Sequence, residues 1–96
     1  KSLRSEIMQL HIIVKGRVQG VCFRYNVKKV AESLGIDGWV KNISDGDVEA
    51  LFEGSEIKLI EMLTFVNKGP FGSRVTKIKE NWKDKENEFE DFRIKY

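Results

Sequence analysis

The alternation of hydrophobic and polar positions along this chain predicts strands and helices in a regular order. β-Branched residues dominate residues 10–15, and apolar side chains on both faces of that segment are typical of a central strand. Gly35 is suited to end the following helix, predicted at residues 23–34, in a left-handed conformation. That helix has an apolar stripe at i, i+3, i+4 and i+7, formed by Val27, Val30, Ala31 and Leu34.

Two further strands and a second helix are predicted in the middle of the chain. Residues 38–43 and 48–53 have strand character, and residues 45–46 (Asp-Gly) predict a tight turn between them. A helix is predicted at residues 56–67, with Ser55 as its N-cap. Its apolar stripe is expected to consist of Leu59, Ile60, Leu63 and Val66.

The remaining segment predicts two more strands. In residues 74–82 either set of alternate positions can face the core, so the phase of that strand stays open. Residues 89–96 predict a last strand with a break near Asp91. The order β-α-β-β-α-β plus a terminal strand predicts the α+β class. We expect a ferredoxin-like split β-α-β sandwich, with two helices on one face of a four- to five-stranded, mainly antiparallel sheet.

Composition and charge fit one small globular domain. The 96 residues carry 17 basic and 15 acidic side chains, a net charge of +2, mixed along the chain, so we expect no nucleic-acid partner. The single cysteine, Cys22, excludes an internal disulfide and fits a reducing, cytoplasmic setting. No apolar run approaches the ~18 residues of a membrane span, and we expect no membrane partner. We interpret residues 1–9 as a polar N-terminal lead-in and residues 10–96 as the domain.

A glycine-bracketed loop between the first strand and the first helix predicts an anion site. Gly16 and Gly20 permit positive φ, and the helix that follows presents backbone N–H groups. Arg24, at the helix entrance, opposes the helix dipole at a cost of about 0.3–1 kcal/mol, which a bound anion would offset. The loop therefore predicts a small phosphate cradle. Its spacing matches neither a P-loop nor GxGxxG.

The same loop resembles a known signature. Residues 16–24 match GxVQGVxFR, the motif of the acylphosphatase family, at every defined position. A second family block, GWVxN followed by DGxVE, is matched by residues 38–42 and 45–49. The resemblance covers about residues 10–96. It implies an enzyme that hydrolyses acyl phosphates to a carboxylate and inorganic phosphate. No cluster of His, Cys, Asp or Glu has metal-ligand spacing, and we expect no metal, no cofactor and inhibition by phosphate.

The resemblance also implies roles for individual residues. Arg24 would bind the phosphoryl group, and Asn42 would hold and orient the attacking water; from the sequence alone, Asn42 is equally well a turn-forming asparagine. Many family members carry a threonine three residues after the arginine, where this chain has Val27. The predicted substrate-binding residues, with Gln19 ordering the loop, are Gly16, Gln19, Gly20, Val21, Cys22, Phe23 and Arg24.

Two non-enzymatic alternatives share this order of elements: an RNA-binding module and a small-molecule-sensing module. RNA-recognition domains display basic and aromatic residues on a middle strand, whereas residues 47–53 are acidic with one aromatic. A Cys–His nucleophile is disfavoured, because the only histidine, His11, lies on the strand before the loop. We therefore favour a monomeric, cytoplasmic acylphosphatase acting on a small-molecule acyl phosphate.

Overall fold

The structure, a computed structural model, describes residues 7–20, 22–70, 72–84 and 87–96. In these residues a five-stranded sheet has the order β4-β1-β3-β2-β5 and is antiparallel except for the β2–β5 pair. Two helices pack on this sheet, which confirms the predicted ferredoxin-like α+β fold. The elements are β1 (Met8–Arg17), α1 (Phe23–Ser33), β2 (Asp37–Asn42), β3 (Val48–Gly54), α2 (Glu56–Lys68), β4 (Arg74–Asp84) and β5 (Phe92–Lys95).

Strand β1 is central, as its two-sided apolar pattern predicts. It pairs with β3 on one side and β4 on the other, and Leu10, Ile12 and Val14 are fully buried beneath the helices. The strand begins at Met8, two residues earlier than expected. Residues 1–6 lie outside the described residues, so the lead-in and the domain boundary stay predictions.

The phase of β4, which the sequence left open, is set by its pairing with β1. Ile78 lies opposite Val14 and Trp82 opposite Leu10, so both point toward the core. The register then shifts between Lys15 and Gly16, where one extra residue, Thr76, is accommodated. A bulge reverses the alternation of side chains, which is why no single period fits this strand.

The helices follow their predicted spans, with one correction to the apolar stripe of α2. Ser55 caps α2 by accepting a hydrogen bond from the Lys58 N–H at 3.4 Å, as predicted. Ile60, expected in the core, is 48% exposed, and Met62 is fully buried instead. Met62 lies three positions after Leu59 and therefore shares its face of the helix. Ile60 is the residue directly after Leu59, so it is rotated by about 100° around the helix axis and lies off that face.

The last strand is shorter than predicted, because the chain before it is held by a buried carboxylate. The predicted break near Asp91 is confirmed, since β5 begins at the next residue, Phe92. Glu53, only 2% exposed, accepts hydrogen bonds from the backbone N–H groups of Glu88 (2.9 Å) and Phe89 (3.0 Å). These two N–H groups are therefore satisfied by a side chain instead of by strand pairing.

The sheet face away from the helices carries charged and aromatic side chains. Nε2 of His11 lies 2.6 Å from the Glu49 carboxylate. Trp39 lies beneath the ammonium groups of Lys95 and Lys41, at 4.5 and 5.5 Å from the ring centroid. Among the described residues, no helix combines the length and the apolar composition required to cross a membrane.

We predict that Asp37→Asn raises the free energy of unfolding at neutral pH. Burial raises the pKa of Asp37 above its ordinary value of 3.8, and neighbouring carboxylates, Glu53 foremost, raise it further. Ionised Asp37 therefore opposes folding above the raised pKa, and this opposition disappears as the pH falls below 3.8. Urea unfolding should show that the variant has a higher free energy of unfolding than the wild type at pH 7, and that this difference vanishes in acid.

The control for this prediction is Glu61→Gln, which neutralises an exposed carboxylate on α2. An exposed ion pair contributes about 0–1 kcal/mol, so this variant should match the wild type at both pH values. A gain from Asp37→Asn that persists unchanged in acid would contradict the electrostatic explanation.

Candidate active site

A cavity of about 400 Å³ opens where the loop after β1, the start of α1 and the ends of β2 and β5 meet. The structure brings the two predicted catalytic residues, Arg24 and Asn42, into this one cavity from separate elements. Gly16 and Gln19 do not line it, and Val21 lies outside the described residues. The lining residues are Val18, Gly20, Cys22, Phe23, Arg24, Tyr25, Asn42, Ile94 and Tyr96.

The loop turns into α1 through two residues with positive φ. Gly20 has φ 76° and Cys22, at the N-cap position, has φ 59°. The Cys22 carbonyl accepts hydrogen bonds from the Asn26 N–H (3.0 Å) and Nδ2 (2.8 Å). No backbone carbonyl among the described residues accepts a hydrogen bond from the N–H groups of Gly20, Cys22, Phe23 or Arg24. Unpaired N–H groups at a helix N-terminus are the arrangement that binds anions.

Gly16 lies near the end of β1, just before the loop. Its φ is 132°, and a Cβ at this position would lie 2.0 Å from the carbonyl oxygen of Arg74. The glycine therefore permits the close approach of β1 and β4 at the bulge. Its side-chain-free backbone shapes the strand end from which the loop departs.

The loop is joined to the β2–β3 connection by the Gln19 side chain. Its Nε2 donates hydrogen bonds to the carbonyl oxygens of Ile43 (2.9 Å) and Asp47 (2.8 Å). Asp47, only 7% exposed, also accepts a hydrogen bond from Lys15 Nζ at 2.7 Å, which raises the pKa of Lys15. We call the two hydrogen bonds from Gln19 Nε2 the Gln19 clamp. The clamp agrees with the loop-ordering role predicted for Gln19.

Asn42 ends β2 with an unsatisfied acceptor. Its Oδ1 is buried, and no donor among the described residues reaches it. A buried polar atom without a partner costs about 1–3 kcal/mol, so such an atom at a cavity suggests a missing donor. A water molecule in the cavity is a suitable donor.

Arg24 enters the cavity without an acidic partner. No ion pair of its guanidinium is present among the described residues, and its Cζ lies 5.0 Å from the centroid of the Tyr96 ring. The sequence reasoning assigned Tyr96 no role in the site, although the family resemblance extended to residues 92–96. Val27, which replaces the family threonine, is 1% exposed and belongs to the core, so this departure lies outside the cavity lining.

The fold is ferredoxin-like, and its cavity brings Arg24 and Asn42 together with the N-terminus of α1. The acylphosphatase family model matches residues 10–94, and the chain belongs to that family. It is 42% identical over 90 residues to an acylphosphatase of Pyrobaculum aerophilum, covering 93% of this chain and 95% of the relative.

Solved structures agree with this assignment. The crystal structure of acylphosphatase from Bacillus subtilis superposes with a TM-score of 0.89 at 43% identity, covering 93% of this chain and 99% of the other. The structure of full-length HypF in its phosphate- and nucleotide-bound form matches with a TM-score of 0.87 at 27% identity. That match covers all of this chain and 13% of the HypF chain, so the same fold occurs within a much longer protein.

We predict that alanine at the two loop glycines separates folding from anion binding. Gly16→Ala should strongly destabilise the protein, because its Cβ would collide with the backbone of β4. Gly20→Ala meets no atom within 4 Å, so its cost is the positive φ alone, about 1–2 kcal/mol. Because this strain distorts the loop, Gly20→Ala should weaken phosphate binding. Urea unfolding and phosphate titration of both variants test this; an undisturbed phosphate affinity in Gly20→Ala would contradict the cradle.

Proposed function

We propose that the chain hydrolyses acyl phosphates to a carboxylate and inorganic phosphate, by direct attack of a water molecule on phosphorus. The observation that carries the proposal is one cavity that holds an arginine and an asparagine. Among the described residues, the arginine has no acidic partner and the buried asparagine oxygen has no hydrogen-bond donor. The first needs an anion, and the second needs a hydrogen-bond donor. A phosphoryl group and a water molecule supply both.

The phosphoryl group would be held by Arg24 and the loop. The guanidinium presents a planar fork of N–H donors that matches two phosphoryl oxygens. The N–H groups of Gly20, Cys22 and Phe23, which have no backbone acceptor among the described residues, would supply further donors, and the N-terminus of α1 favours negative charge. Val21 is predicted to contribute in the same way. Because these donors are fixed before the substrate arrives, they favour the charge of the transition state.

The attacking water would donate a hydrogen bond to Asn42 Oδ1. An amide can fix a water molecule because its oxygen accepts while its nitrogen donates. The water oxygen forms a bond to phosphorus while the bond from phosphorus to the acyl oxygen breaks. The carboxylate leaves with the electron pair, and both protons of the water end on the phosphate. A carboxylate leaving group requires no general acid, so positioning and charge stabilisation suffice.

The described residues offer this cavity no covalent nucleophile with an adjacent base. Cys22 is exposed, and His11 is engaged with Glu49 on the opposite face of the sheet. The RNA-binding and sensing alternatives gain no support from any contact in the cavity. Phosphate release from benzoyl phosphate, measured beside an RNA shift assay at varied salt, decides between them. The absence of a cofactor, the monomeric state and the cytoplasmic location stay predictions.

We predict that Arg24→Ala abolishes turnover and inhibition by phosphate without loss of folding. Removing a charged group that stabilises transferring phosphoryl oxygens typically costs about 10³-fold or more in kcat. Arg24→Lys should also fail, because a point charge does not reproduce the planar fork. Phosphate release from benzoyl phosphate and far-UV circular dichroism check this. A folded Arg24→Ala variant with near-normal turnover would eliminate the proposed site.

We predict that Asn42→Ala lowers kcat by about 10²-fold while the inhibition constant of phosphate stays near that of the wild type. Asn42 would contact the water and not the bound phosphoryl group, so its loss is expressed in the transition state. The variant should also unfold at the wild-type temperature or above, because Oδ1 accepts no hydrogen bond from the described residues. If Asn42 only forms the turn, stability falls and kcat does not. Loss of phosphate affinity would instead mean that Asn42 contacts the bound phosphate itself.

A further inference from the structure

Asp47, in the connection between β2 and β3, is bonded to the chain at three points around the candidate site. Its carboxylate accepts a hydrogen bond from Lys15 Nζ, just before the glycine-bracketed loop, at 2.7 Å. Its backbone carbonyl accepts one from Gln19 Nε2, within that loop, at 2.8 Å. The same carbonyl accepts the N–H of Ile43 at 2.9 Å, and Ile43 directly follows Asn42. One residue therefore joins the loop to the chain beside Asn42.

The antiparallel register of β1 and β3 explains why Lys15 meets Asp47. Val14 of β1 lies opposite Val48 of β3, and the ladder of paired residues ends there. One residue further along are Lys15 and Asp47, so their side chains leave the same face of the sheet. At this point β1 also shifts its register with β4, between Lys15 and Gly16. The ion pair thus holds β1 against the β2–β3 connection where regular strand pairing stops.

The ion pair is partly buried. The side chain of Asp47 is 10% exposed and that of Lys15 is 37% exposed. The hydrogen bond to Asp47 and the charge of that residue raise the pKa of Lys15 above its ordinary 10.5, so the ammonium stays charged in neutral solution. Among the described residues, neither member has a second ion-pair partner. A buried carboxylate that loses its cation is uncompensated, so it is driven toward solvent.

We propose that Lys15 and Asp47 form a positioning pair for the reaction. The ion pair fixes the Asp47 carbonyl, and this carbonyl sets the distance between the phosphate-binding loop and Asn42. The inference rests on the proposed function. Neither residue lines the cavity, so the pair acts through other groups. Its effect is transmitted by the two hydrogen bonds that end on the Asp47 carbonyl oxygen, from Gln19 and from Ile43.

Positioning differs in its consequences from direct attraction of the substrate. If the Lys15 ammonium only attracted the phosphoryl group through space, reversing its charge would weaken phosphate binding, and reversing the charge of Asp47 would strengthen it. If the pair positions the loop, breaking it from either side lowers kcat. A role in stability alone would lower the unfolding temperature and leave kcat unchanged wherever the variants are folded.

The test exchanges the two side chains. Lys15→Asp and Asp47→Lys each place like charges opposite one another, and each should lower kcat on benzoyl phosphate about 10²-fold, the loss that a displacement of about 1 Å can cause. The phosphate inhibition constant should rise less, about 3-fold, because neither residue lines the cavity. The double variant restores the attraction at the original net charge, so its kcat should return to within about 5-fold of the wild type.

The matched control is Lys58→Asp, which makes the same charge change at an exposed ion pair with Glu61 on α2. It should alter neither kcat nor the phosphate inhibition constant, because exposed pairs contribute little. Circular dichroism and thermal unfolding identify a temperature at which each variant is folded. If charge reversal prevents folding, Lys15→Met, which keeps an unbranched side chain and removes the cation, should still lower kcat about 10-fold.

Each other outcome overturns the inference in its own way. Wild-type kcat in the folded single variants assigns the pair to stability alone. Opposite effects of Lys15→Asp and Asp47→Lys assign it to long-range attraction. A double variant as slow as the singles shows that the loss does not come from the pair.

The proposed function can fail separately, if the wild type does not hydrolyse benzoyl phosphate. Calorimetric titration with inorganic phosphate then tests the positioning of the loop. Affinity that falls in both single variants and recovers in the double variant supports positioning. Affinity that is unchanged, or that moves in opposite directions, overturns it.

Discussion

The candidate site depends on the Gln19 clamp, in which one side-chain amide joins two segments far apart in sequence. Its nitrogen donates to the carbonyl oxygens of Ile43 and Asp47, which come 24 and 28 residues later in the chain. On one side of the clamp is the loop, where the N–H groups of Gly20 and Cys22 have no backbone acceptor among the described residues. On the other is the end of β2, with Asn42. In the proposed mechanism, two hydrogen bonds of ordinary strength would therefore set the distance between the bound phosphoryl group and the attacking water molecule.

The energetic and functional weights of the clamp are expected to differ widely. Each hydrogen bond contributes about 0.5–1.5 kcal/mol to folding, so the two together contribute about 1–3 kcal/mol out of the roughly 5–15 kcal/mol by which a domain is stable. A displacement of about 1 Å between reacting groups, by contrast, can cost 10²-fold in rate. The surrounding fold limits such displacement, because Lys15 holds the Asp47 carboxylate and Gly16 allows β1 and β4 to approach closely. The parallel β5 adds Tyr96 on the other side of Asn42.

The fold was predicted from the sequence largely through the periodicity of apolar residues. This prediction failed where a local irregularity interrupts the period. The β4 phase could not be predicted, because the bulge at Thr76 arises from pairing with β1. The error at Ile60 came from treating a residue adjacent to the stripe as part of it. At the site, the glycines and Arg24 carried a local signal for anion binding, whereas the interpretation of Asn42 depended on the family resemblance. No role in the site was predicted for Tyr96 or for the carbonyl partners of Gln19, because strand pairing and loop closure bring them into place.

The most direct test of this account is the kinetics of Gln19→Leu, a variant that keeps the side-chain volume and removes the amide donor. If the clamp aligns the loop with Asn42, kcat should fall about 10²-fold and inhibition by phosphate should weaken. The thermal unfolding temperature should fall by several degrees, because two hydrogen bonds of about 0.5–1.5 kcal/mol each are lost, and the variant should remain folded at the assay temperature. A Gln19→Leu variant that keeps both kcat and the phosphate inhibition constant within twofold of the wild type would contradict the account.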